Sequence, residues 1–245
     1  MTVSALTVEE RNRSHTNGPD SDPTASSDPT ASVLKLGAVV SVIQSGLFVV
    51  IGIAALALGV DRLVDNGFAS LRFADPTAFR VLCVAFVLIA VLGLAITAAE
   101  RALIEPANAG LARYGAVLAY LGHAGTIAFF SWWLIRSFAD VGNGMDLDVV
   151  APIDWGVMFE LVFVGAWVWI IAGVMRGQPS WSAGFVVLSV VKAISFWFAF
   201  IAFLTDEKWM IVLGLGAVTF VTGPWWHLWI PRLFMRSVRE RAHAR

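Results

Sequence analysis

The chain has 245 residues, 58% of them hydrophobic and 14% charged, with a mean hydropathy of +0.75. Soluble domains carry about 25% charged residues, so this composition excludes an ordinary water-soluble domain, a disordered chain and a coiled coil. A net charge of -1 leaves no basic footprint for nucleic acid, and the single cysteine, Cys83, excludes a disulfide framework and a cysteine-based zinc site.

Residues 1–32 hold no long apolar run and contain a tandem copy, Ser21-Asp22-Pro23-Thr24-Ala25-Ser26 followed by Ser27-Asp28-Pro29-Thr30-Ala31-Ser32. Such a segment cannot bury enough apolar surface to offset the entropy of ordering it, so it reads as a disordered tail. It does not read as a cleavable signal peptide, because the apolar run starts only at Val33. A helix needs about 20 apolar residues to cross the hydrocarbon core. Crossings are expected near 33–60, 79–99, 113–135, 155–175, 182–205 and 209–231. The fold class is therefore all-α, a polytopic integral membrane protein with a bundle of six transmembrane helices over residues 33–236. Residues 237–245 read as a short basic C-terminal tail.

Two connections are longer. Residues 61–78 mix Leu63, Phe68, Leu71 and Phe73 with Arg62, Asp65 and Arg72, a pattern that suits an interfacial amphipathic piece. Asp75-Pro76 opens the second helix, with proline at its first turn. Residues 136–154 include Asp140, Asp146 and Asp148 among glycines. Oxygen ligands and tight turns suit a calcium ion, but the EF-hand spacing and its late glutamate are missing, so an acidic solvated turn is expected.

Basic residues set the orientation. Eleven fall on the side of the termini, from Arg11 and Lys35 through Arg101, Arg113 and Arg176 to Arg245; five, Arg62, Arg72, Arg80, Arg136 and Lys208, fall opposite. The positive-inside rule puts both termini in the cytoplasm of a cell-membrane protein. Trp132, Trp133, Trp155 and Trp209 mark the outer interface, and Trp181, Trp225, Trp226 and Trp229 the inner one. Trp167, Trp169 and Trp197 read as packing residues.

Small residues let helices approach closely in lipid. Gly37, Ser41 and Ser45 on the first helix, and Gly115, Ala119, Gly122 and Thr126 on the third, predict that both helices are central. On the sixth helix Gly223-Pro224 predicts a kink, because Pro224 lacks an N–H and crowds the carbonyl of Phe220. That pair is the candidate hinge.

Chemistry is expected only where polar side chains enter the membrane, since ionisable groups there usually face a partner or a cavity. The candidates for a ligand or proton site are Gln44, His123, Glu160, Ser189, Lys192 and Ser195. At 1.5 Å per residue, Gln44, His123 and Lys192 lie about 15–16 Å from the cytoplasmic ends of their helices, near one midplane. Glu160 falls about 12 Å closer to the outside than Lys192, which does not favour a direct salt bridge. In the functional reading His123 and Glu160 exchange a proton while Lys192 supplies positive charge to an anionic ligand. In the structural reading the cluster only fixes helix packing.

No catalytic residue, metal site or cofactor is assigned. A haem between His123 and His227 is disfavoured by a depth difference of about 9 Å, and His227 reads as part of the inner aromatic belt. The stretch Val187-Leu188-Ser189-Val190-Val191-Lys192-Ala193-Ile194-Ser195-Phe196-Trp197 resembles the retinal-lysine helix of microbial rhodopsins with inverted topology. That resemblance implies a retinal Schiff base on Lys192, although the family carries its lysine on the last of seven helices. The leading expectation is a non-enzymatic accessory or interaction subunit, with the lipid bilayer and other membrane subunits as partners and no nucleic acid. The alternative is a small transporter or ligand binder with a polar site around His123 and Lys192.

Overall fold

A computed structural model describes residues 28–59, 75–139, 155–178, 181–205 and 207–243. Residues 1–27, most of the expected interfacial piece (60–74) and the acidic loop at 140–154 lie outside the described residues. Within them the chain is a six-helix membrane bundle: six helices are long and apolar enough to cross a bilayer. They are α1 (Pro29–Leu58), α2 (Pro76–Ile104), α3 (Ala109–Ala139), α4, α5 (Ala183–Thr205) and α6. Helix α4 runs as Trp155–Phe159, a π-helical turn Glu160–Val164, and Gly165–Arg176; α6 runs as Lys208–Gly216, a π-helical turn Ala217–Thr222, and Gly223–His243.

The helix ends follow local chemistry. Asp28 accepts from the Thr30 N–H at 3.0 Å and Pro29 takes the first turn, so α1 starts four residues before Val33. Asp75 accepts from Thr77 and Ala78 N–H at 2.9 and 3.1 Å, with Pro76 next, which is the start expected for α2. Gly59 ends α1 at a φ of 89°, a conformation that an L side chain disfavours. Between α2 and α3, Glu105 holds Arg113 at 2.9 Å and Arg101 at 3.4 Å, and the Asn108 side chain accepts from Leu111 N–H. The hydrogen bond from Arg113 holds the Glu105 carboxyl below its usual range. Ser182 is exposed and caps α5 by accepting from Phe185 N–H.

Consecutive helices pack side by side, and α6 closes against α1, so the six form a ring in chain order. Short connections favour antiparallel neighbours, as between α2 and α3, α4 and α5, and α5 and α6. The ring corrects the expectation that α1 and α3 are central. Each sits in the ring with one face outward, exposing Leu36, Val39 and Ile53 from α1 and Val117, Leu121 and Ile135 from α3. Their small residues serve the contacts with neighbours instead. A Cβ at Gly37 would lie 2.3 Å from Ala99 of α2, and one at Gly115 would lie 2.3 Å from the Trp167 ring of α4.

Helix α6 continues through Pro231 to His243, past the end expected at 231 and through most of the supposed C-terminal tail. Its irregularity falls next to Gly223-Pro224. The π turn ends there, with Thr222 Oγ1 donating to the Ala217 carbonyl five residues back at 3.1 Å. Widening the turn relieves the crowding that proline imposes on a regular α-helix. A Cβ at Gly223 would lie 2.4 Å from the Val218 carbonyl oxygen, so the turn requires glycine there.

Candidate functional site: a buried polar cluster inside the ring

The interior of the ring holds a cavity of about 20 Å³, room for about one water molecule. Gln44, Glu100, His123, Glu160, Lys192 and His227 line it, one from each of the six helices. Three of the predicted residues thus meet Glu160 at one site. Two groups of hydrogen bonds surround the cavity.

The first group joins α2, α3 and α4. His123 Nδ1 is 3.1 Å from the Glu160 carboxylate, and Thr126 Oγ1 donates to the same carboxylate at 3.0 Å. On the other side of the ring, His123 Nε2 is 3.3 Å from Thr97 Oγ1. The imidazole fits because α2 presents Gly93: a Cβ there would lie 2.5 Å from His123 Cε1. Glu160 opens the π turn of α4 and keeps a side chain 15% exposed, against 4% for His123.

The second group joins α1, α5 and α6. Lys192 Nζ lies 3.1 Å from His227 Nε2, and Ser41 Oγ is 3.1 Å from His227 Nδ1. Ser41 also donates to the His227 carbonyl oxygen at 3.0 Å. A hydroxyl has one proton to give, so Ser41 must accept from Nδ1–H, which leaves Nε2 as the acceptor for the lysine. This chain of donors defines a neutral His227. Lys192 Nζ also stands 3.7 Å from the Trp226 ring centroid, a cation–π contact. Ser189 fixes that ring: it accepts from Trp226 Nε1 at 2.9 Å and donates to the Phe185 carbonyl.

Glu100 stands between the groups. It is 3% exposed, and Trp167 Nε1 donates to its Oε2. Trp167 therefore serves as a buried donor as well as a packing residue. Gln44 is equally buried, and its Oε1 has no hydrogen-bond partner among the described residues.

Ser195 is not brought to the cavity. Its hydroxyl donates to the Val191 carbonyl of its own helix at 2.8 Å. Two successive steps of three residues lag a 3.6-residue turn, so Ser195 and Ser189 point about 120° apart. His227 corrects the expectation of an interfacial role: it is 3% exposed and stacks on Phe48. A crossing that stopped at residue 231 would leave His227 one turn from its end, but α6 continues to His243. Trp226, at 1% exposed, and Trp133, at 7%, likewise turn inward instead of marking an interface.

Sequence reasoning missed Glu100 because the second crossing was ended at residue 99, which left Glu100 beside Arg101 in the cytoplasm. A signal existed. Gly93, Thr97 and Glu100 recur at four and three residues, one face of a helix.

A second cavity of about 50 Å³ adjoins the first, sharing Phe48, Glu160 and Phe196 with it. Phe48, Ile89, Phe130 and Leu215 make it apolar, while Thr126 and Glu160 give it one polar edge. Both π turns reach it, α4 through Glu160 and α6 through Val218 and Thr219.

Among the described residues no group of three or more His, Cys, Asp or Glu side chains is placed to hold a metal ion. Cys83 is buried. The fold and site define a multi-pass helical membrane protein with an ionisable interior. No family model matches the chain, and neither a curated protein nor a solved structure matches it.

Proposed function

We propose that the chain is a small non-enzymatic transport protein of the cell membrane whose central cluster binds and releases a proton. The observation that carries this reading is the His123–Glu160 pair, 3.1 Å apart, whose glutamate lines both cavities and opens the π turn of α4. A helix bundle can be fastened by hydroxyls and amides at small cost. Two carboxylates, a lysine and two histidines around one cavity are a costly way to fasten it, and intramembrane ionisable groups mark proton relays and ion paths. This reverses the order of the two expectations from sequence, in which an accessory subunit came first.

In this reading Glu160 is the outermost proton acceptor, since it alone of the five reaches the second cavity. His123 takes the proton inward, hydrogen-bonded to Thr97 on its far nitrogen. Lys192 balances the carboxylates. With about 20 Å³ of free space the site is closed to anything larger than water, so the described conformation is an occluded one. Opening falls to the π turns, because π turns inside α-helices recur at functional sites and their spare backbone bonds can shift. Gly223 and Pro224 flank one of them and form the hinge. Both termini are cytoplasmic, on the strength of the basic residues.

The test is proton flux in proteoliposomes under an imposed membrane potential, read with a trapped pH dye. Wild type is expected to conduct or exchange protons, and Glu160→Gln and His123→Phe to lose at least tenfold in rate while keeping a folded elution profile. Folded wild type without flux, or variants with wild-type flux, would overturn the reading. A visible absorbance band in the purified protein would instead favour a retinal linkage at Lys192.

A further inference from the structure

The inner end of the bundle carries a groove that the central site does not use. It is open, about 560 Å³ in volume, and lies between the last turns of α2 and α4 and the extension of α6. Ile104, Met175 and Leu233 form an apolar floor, while Trp181, Arg236 and Arg241 stand at its rim. The α6 extension brings Arg232, Arg236, Arg239 and Arg241 against one acid, Glu240. Arg236 holds Glu240 at 2.8 Å, and Arg241 reaches over the end of α2, donating to the Ala102 carbonyl at 3.5 Å.

We propose that this groove binds an anionic phospholipid, with its acyl chain on the apolar floor and its phosphate between Arg236 and Arg241. Three features support this occupant. The groove sits where the spans end, which is the headgroup level. Its rim is net basic over an apolar base, and basic pockets between transmembrane helices select anionic headgroups. Trp181 at the rim suits that level, with an apolar ring and a polar N–H. A juxtamembrane arginine near an anionic surface contributes about fivefold in affinity. The two rim arginines then favour phosphatidylglycerol over phosphatidylcholine by more than tenfold.

The test is lipid retention by the full chain in mild detergent, measured by native mass spectrometry, with melting temperature as a second readout. Phosphatidylglycerol is expected to stay bound and raise the melting temperature. Phosphatidylcholine and inorganic phosphate at the same concentration are not. Arg236→Gln and Arg241→Gln should each weaken retention about fivefold. Ala107→Trp fills the groove at an exposed lining position with both arginines in place, and should abolish retention. Equal retention of phosphatidylcholine, an equal response to phosphate, no retention by wild type, or retention unchanged in Ala107→Trp would each overturn the proposal.

Discussion

Glu100 and Trp167 form a buried contact that a single substitution can break. The indole N–H of Trp167 is enclosed at 1% exposure and gives its proton to the Glu100 carboxylate. Glu100→Gln keeps an oxygen acceptor for the indole and removes one buried charge, so it should leave thermal stability in detergent nearly unchanged or raise it. Glu100→Leu removes the acceptor, and the stranded indole N–H should cost about 1–3 kcal/mol. Thermal unfolding of the two variants side by side checks this. A leucine variant as stable as the glutamine variant would show that the hydrogen bond contributes nothing. The two histidines differ in their partners. His123 faces a carboxylate and a hydroxyl, while His227 accepts from a lysine.

At the scale of an element, capping and π turns divide the work. Asp75 satisfies two N–H groups at the start of α2 from an exposed position. Asp75→Ala should cost about 1 kcal/mol and leave the interior untouched. The expected result is a lower melting temperature with proton flux unchanged; a loss of flux would tie the α2 start to the site. The π turns act differently. Each shifts the register of its helix, and so sets which face the following residues present. In α6 the turn at Ala217–Thr222 precedes the segment that turns Trp226 and His227 toward Lys192.

For the whole molecule, orientation in the membrane is read directly by labelling from one side. Cys83 is buried, so single cysteines placed elsewhere report on sidedness after Cys83→Ala. Asn108 lies between α2 and α3, and Glu207 before α6, both exposed and on opposite faces of the membrane. An impermeant thiol reagent applied to intact cells should label Glu207→Cys and spare Asn108→Cys. The opposite pattern would invert the topology. The Glu105 clasp predicts a local pH effect at the α2–α3 connection. Its carboxyl is lowered by Arg113, so the clasp is complete above the unfolded carboxylate range and is lost as pH falls through the lowered value.

Hydropathy alone determined the class of fold and the number of crossings, because a bilayer admits few alternatives to apolar helices of about 20 residues. The Asp75-Pro76 start was equally legible, since a cap is written in adjacent residues. Helix ends beyond the hydrocarbon were not. Composition cannot tell a solvated helix from a tail, so α6 was ended at Pro231 and α2 at residue 99, and His227 and Glu100 were misplaced or missed. Depth counted from those ends inherited the error. Residue types marked Gln44, His123, Glu160 and Lys192 as interior candidates, but pairing depends on which helices are neighbours and on how each is rotated. The His123–Glu160 pair was already an expectation of the functional reading, but the Lys192–His227 contact appears only in the closed ring, because side-chain partners across helices are set by packing, to which no local spacing in the chain refers.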